Sequence, residues 1–117
     1  MAFLFTPMSL TLGSGDNNTT LSLALGSSTF INVTLTSASI TLVGMSTIGG
    51  NIDGAVVCFS NVSTGGNTLT FAHASGVPLP ANRFTNSGTV DRSAVQFGAS
   101  WYRYSAVTLT WQQMMRA

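Results

Sequence analysis

Lysine and glutamate are absent from this 117-residue chain, whose ionic side chains are Asp16, Asp53, Asp91, Arg83, Arg92, Arg103 and Arg116. An average protein carries about a quarter of its residues as charged groups, which keep it dispersed in water. Here Ser, Thr, Asn and Gly take that place and hydrogen-bond without charge. Such an exterior suits a part that lies against other subunits. Four scattered Arg and a net charge of +1 form no basic stripe, so counterion release cannot drive nucleic-acid binding. Nor is there a polybasic run or basic amphipathic helix to hold an anionic membrane. Neither nucleic acid nor membrane is expected as a partner.

Cys58 is the single cysteine, which excludes an intrachain disulfide framework and a thiolate-rich zinc site. Within Ala55-Val56-Val57-Cys58-Phe59 it reads as a small core residue. His73 is the one histidine, and no orienting carboxylate accompanies it to make a Cys/His nucleophile. The three Asp are far apart in sequence and sit in turn contexts, so a carboxylate dyad has no support. Asp16 with Asn17 and Asn18 has the oxygen ligands for a weakly held calcium ion, but an Asx turn explains them more simply. No serine occupies a Gly-x-Ser-x-Gly elbow. Gly49-Gly50 and Gly65-Gly66 lack the helix and lysine that phosphate binding needs. No catalytic residue, metal or cofactor is expected, and the chain reads as a non-enzyme.

Long hydrophobic runs are missing too. Met1 to Leu10 is apolar, but it lacks a basic leader region and is interrupted by Pro7, so it is expected to belong to the mature protein. Apolar residues instead alternate: Leu21, Leu23 and Leu25 with Ser22 and Ala24; Ile31, Val33 and Leu35 with Asn32 and Thr34; Ile40 and Leu42 with Thr41. Period two makes half-buried strands. Ala55 to Ser60 is a continuous run, as in a central strand buried on both faces. Gly13 to Asn18, Gly26 to Ser28, Gly49 to Asn51, Asp53-Gly54 and Gly65-Gly66 supply turns between strands. Ser75 to Asp91, with Pro78, Pro80, Asn82 and Gly88, predicts a long loop. No helix and no internal repeat is evident. The expectation is one all-β domain over 1–117, an antiparallel β-sandwich of jelly-roll type, in which 1–12 is either an apolar assembly arm or the first strand.

Aromatics gather near the C-terminus. In Ser100-Trp101-Tyr102-Arg103-Tyr104, Tyr102 and Tyr104 share one strand face, and Trp101 and Arg103 share the other. Trp101, Arg103 and Trp111 are therefore the candidates for a ligand or partner surface.

The segment from Ile40 to Trp111 resembles a module of tailed-phage structural proteins, found in head-decoration (cement) proteins and in tail-fibre tips. The pieces that carry the likeness are Ile40-Thr41-Leu42-Val43-Gly44-Met45, Gly54 with Val56 to Asn61, Leu69-Thr70-Phe71-Ala72-His73, Asn82-Arg83-Phe84, and Trp101 to Tyr104 leading to Trp111. The resemblance implies a β-rich homotrimer on the outer surface of the virion capsid, with the major capsid protein as partner. It also implies that His73, Asn82 and Arg83 anchor the long loop structurally. Residues 1–39 are themselves strand-like, which favours a free-standing decoration protein over a fibre tip that binds a receptor or glycan. Phe3, Leu4, Phe5 and Met8 would then contact the shell or a neighbouring subunit, since so apolar a terminus is costly to leave in water.

Overall fold

A computed structural model describes residues 6–24, 28–48, 50–76 and 82–116. Ten strands make two sheets: β1 (Thr6–Leu12), β2 (Thr19–Leu23), β3 (Ser28–Leu35), β4 (Ile40–Thr47), β5 (Val56–Asn61), β6 (Leu69–Phe71), β7 (Phe84–Thr85), β8 (Arg92–Ala94), β9 (Ala99–Ser105) and β10 (Thr110–Arg116). The described residues include two single-turn 3-10 segments and no α-helix. The all-β class follows from the alternation: most inward positions carry Leu, Ile, Val, Met or an aromatic, and most outward ones Ser, Thr or Asn.

Sheet order corrects the antiparallel jelly-roll expectation. One sheet runs β1-β3-β5-β9-β10-β7 and the other β2-β4-β6-β8. The first six strands therefore alternate between sheets, and within each sheet they lie parallel. The chain winds through three coils of a flattened solenoid, so the absence of an internal repeat is corrected as well. Period two identifies a strand without identifying its neighbour, and the turns that read as hairpins are arcs from one sheet to the other. The coils are also unequal. Thr6 lies beside Thr29, whereas Ser28 lies beside Val56 because the loop after β4 is longer. A fixed sequence period is lost.

Turns at one end of the coils are joined by polar side chains. The Ser14 N–H donates to Ser37 Oγ at 3.1 Å, the Thr41 N–H to Asn17 Oδ1 at 2.8 Å and the Thr68 N–H to Ser39 Oγ at 3.0 Å. These residues complete backbone pairing where the ladders stop.

Of the remaining strands, β8 and β9 close the solenoid against the direction of its coils, and β10 and β7 turn back along it. β9 is antiparallel to β5, β8 to β6, and β10 to β9. Phe59, Phe71, Phe84 and Tyr102 meet between the sheets, with ring centroids 5.1 Å apart for Phe59 and Phe71 and 4.6 Å for Phe84 and Tyr102. Trp111 is fully buried and its Nε1–H donates to the Met45 carbonyl at 3.0 Å. Two buried asparagines tie this junction. Asn61 Nδ2 donates to the carbonyls of Asn67 and Ala94, and its Oδ1 accepts the Ser63 N–H. Asn86 Nδ2 donates to the carbonyls of Phe71 and Val90, while its Oδ1 accepts the Tyr102 hydroxyl at 2.6 Å. Burial pushes the Tyr102 phenol far above its usual range, an effect reduced by the Ser100 hydroxyl. It stays a neutral donor.

Candidate functional site

All three carboxylates accept a backbone N–H. Asp16 accepts that of Gly13 at 2.9 Å, Asp53 that of Ala106 at 3.0 Å and Asp91 that of His73 at 2.8 Å. Arg92 Nε donates to the Ser87 carbonyl at 2.9 Å. These few ionic groups therefore pin turns. Asn17 is engaged in the same way, and among the described residues no cluster of His, Cys, Asp or Glu could hold a metal ion.

Around the long loop, His73 Nδ1 accepts the Asn86 N–H at 2.9 Å, so its proton, when neutral, is on Nε2. Asn82 Oδ1 accepts from Asn51 Nδ2 at 3.1 Å. Arg83 bridges to Gly44 of β4, and its carbonyl accepts the Trp111 N–H at 2.9 Å. His73, Asn82 and Arg83 thus sit where the segment after β6 meets β4 and β10. Beside them runs a shallow groove of about 520 Å³, lined by His73, Thr85, Asn86, Ser87, Thr89, Gln112 and Gln113. Much of its polar lining is already engaged: Gln113 Oε1 accepts the Ser87 N–H, and Thr85 Oγ1 shares a hydrogen bond with Thr110. Cys58 offers no nucleophile, because burial pushes its thiol up to about 11.

A different surface stands out on the outer face of the six-stranded sheet. The registers place Pro7 beside Phe30, Phe30 beside Cys58 and Cys58 beside Trp101, in one row across four strands. Phe30 and Trp101 are half-buried and Pro7 is exposed. Cys58 is 0% exposed yet stands apart from the inter-sheet core, while its neighbours Val57 and Phe59 belong to it. Phe30 and Trp101 are the register neighbours of Cys58 on the two flanking strands. Val56 and Ala99 adjoin the row, Arg103 is its one adjoining charge, and Ser60 and Asn32 are neutral. An apolar row on a sheet face nearly free of charge is the composition of an interface centre.

The structure separates the residues grouped by sequence. Trp101 and Arg103 share the outer face, whereas Trp111, expected with them on a contact surface, is a core residue; its parity matches Tyr104, with which it pairs across β9 and β10. Met8 lies on β1, half-buried against the core, and Phe3, Leu4 and Phe5 lie outside the described residues. Pro7 and Phe30 were not singled out by sequence. The available signal was Phe30 itself, an aromatic at the outward parity of a strand whose other outward positions are Asn32 and Thr34. Searches of the chain against protein families, curated proteins and solved structures return no match.

Proposed function

We propose that this chain is a non-catalytic virion structural protein, a decoration protein that assembles as a homotrimer on the outside of a phage head and cements the major capsid protein. The observation that carries the reading is the apolar row Pro7, Phe30, Cys58 and Trp101 on a sheet face nearly free of charge. Its support from sequence is the Ile40 to Trp111 resemblance. Cementing needs no chemistry: a trimer seated where capsomers meet holds several shell subunits together, so each weak contact gains from the effective concentration set by the others. Neutral contacts avoid the desolvation cost of buried charge and lose little strength as salt changes.

Light scattering of the purified chain tests the assembly, and co-sedimentation with empty heads tests the partner. An assembly built from trimers that binds heads is expected, with Trp101→Lys breaking the trimeric contact while the unfolding midpoint holds. A stable monomer without affinity for heads would end the reading. The groove beside His73, rich in amide and hydroxyl groups, favours a second reading, a glycan-binding fibre tip. Glycan-array binding abolished by Gln112→Ala in a folded protein would promote it.

A further inference from the structure

The solenoid is closed at one end and open at the other. At the closed end its ladders are ended by β9, β10 and β7 in one sheet and by β8, a strand of only 3 residues, in the other. At the opposite end, among the described residues, β1 and β2 each pair on one side only, β1 with β3 and β2 with β4. Both belong to the first coil, so within the described residues both sheets stop at one level with N–H and C=O groups that face the same way and pair with no other strand. Side chains there are incompletely covered: Met8, Leu10 and Leu23 pack on the core but are only partly buried. The usual protections of an edge are sparse. Residues 6–12 and 19–23 contain no charged side chain, the β1 ladder runs unbroken over all 7 residues, and the blunting features are Pro7 in β1 and one register shift between Thr19 and Thr20 at the start of β2. Solenoids end in polar caps when they remain alone in water.

We infer that this open coil end is an isologous interface, covered by the same coil end of a second copy of the chain. The argument for a second copy is geometric. A partner must present two open strand edges at once, separated by the thickness of the sandwich, and the same coil end does so. A two-fold axis perpendicular to the sheets sets β1 antiparallel to its symmetry mate and β2 antiparallel to its own, joining like-length strands and making both sheets continuous. Side-chain parity also survives. With Ser9 on the axis opposite Ser9 of the other copy, Leu10 meets Met8 on the inner face, and Thr11 meets Pro7 on the outer one. The rotation closes on itself, so the pairing stops at two ends and does not grow into a fibre. This surface is the edge of the sheets and shares only Pro7 with the Trp101 row, so the inference does not rest on the trimer proposed above.

Sedimentation equilibrium on the full chain tests it, with Ser9→Lys and Thr11→Lys as edge variants and Thr34→Lys, an exposed outward site on β3, as control. Ser9→Lys sets like charges against each other beside the axis while leaving the inner face intact. The expected result is an even number of chains, halved in either edge variant and unchanged in the control, with identical circular dichroism and unfolding midpoints. Amide exchange along β1 should accelerate at least about tenfold in the edge variants. Combination with Trp101→Lys separates the two proposals: loss of the face contact alone leaves the edge pair, and loss of the edge alone leaves the trimer. An odd assembly, a monomer, or an even assembly indifferent to both edge variants overturns the inference. So does a monomer that pairs only after removal of residues 1–5, since those residues would then be what covers the edge.

Discussion

The coils of β1 to β6 and the closing strands β7 to β10 are built by different means. In the coils, Leu12, Ile31, Val33, Leu35, Ile40 and Leu42 fill the interior, and parallel ladders repeat from one coil to the next. Aliphatic residues, β-branched at Ile31, Val33 and Ile40, suit a position whose neighbours above and below are nearly the same. Where the closing strands seat on the last coil, β8 and β9 reverse, and the interior is filled by Phe84, Tyr102, Tyr104 and Trp111 packed against Phe71 of β6, with the buried amides of Asn61 of β5 and Asn86 among them. Large rings span the irregular space, and buried amides satisfy backbone groups that the reversal leaves without ladder partners. Propagating a coil takes repetition, whereas ending one takes specific residues.

The sharpest way to break that comparison is to truncate one residue at the junction with the closing strands and one deeper in the coils. Phe71 is fully buried and its ring lies within 5.5 Å of those of Phe59, Phe84 and Tyr102. Phe71→Ala is expected to cost about 3–5 kcal/mol, whereas Ile31→Val in the coils should cost about 1 kcal/mol. Urea unfolding with a common slope checks both. Similar losses from Phe71→Ala and from Leu35→Ala deeper in the coils would show that the junction with the closing strands holds no special share of stability.

Next in size is the polar junction. Asn61→Ala leaves the Ser63 N–H and the carbonyls of Asn67 and Ala94 without their side-chain partner. Orphaned buried groups make the expected loss about 2–3 kcal/mol. Ser37→Ala, at an exposed coil turn where the hydroxyl accepts the Ser14 N–H, should stay within about 0.5 kcal/mol. Equal effects in thermal melts would mean that the buried amide is no more than another turn residue.

The two halves were also unequally legible in sequence. Strands in the coils announce themselves through alternation, as at Ile31, Val33 and Leu35, and the inward placement of Tyr102 and Tyr104 follows from the same parity. Pairing is invisible to parity. Leu42 and Phe71 become neighbours through a parallel ladder, and nothing local distinguishes that from a hairpin. Trp111 was placed on the surface because aromatics near one another in sequence invite a shared role, and only the β9–β10 register shows it facing inward. The outer row is still harder to read. Pro7, Phe30, Cys58 and Trp101 come from four strands, and the unequal coils erase the spacing that would align them.

Cys58 sharpens the comparison from the outer face, where a coil strand, β5, meets a closing strand, β9. Its thiol, buried at the junction beside Phe30 and Trp101, ionises near pH 11 in the fold against 9.0 in its ordinary state. Because the folded value is raised, the neutral thiol's contribution is fully present below pH 9.0 and is lost as pH climbs towards 11. The unfolded chain releases its proton first and is favoured across that window, by about 2 kcal/mol at its upper end. Cys58→Ala removes the titration, so stability measured at pH 8 and again at pH 10.5 should fall less in the variant than in the parent. The Tyr102 phenol lies further into the alkaline range and is present in both proteins, so it cancels in the difference. Parallel pH profiles for parent and variant would show that the row between Phe30 and Trp101 admits water to the thiol, and that the two halves do not seal against each other on this face.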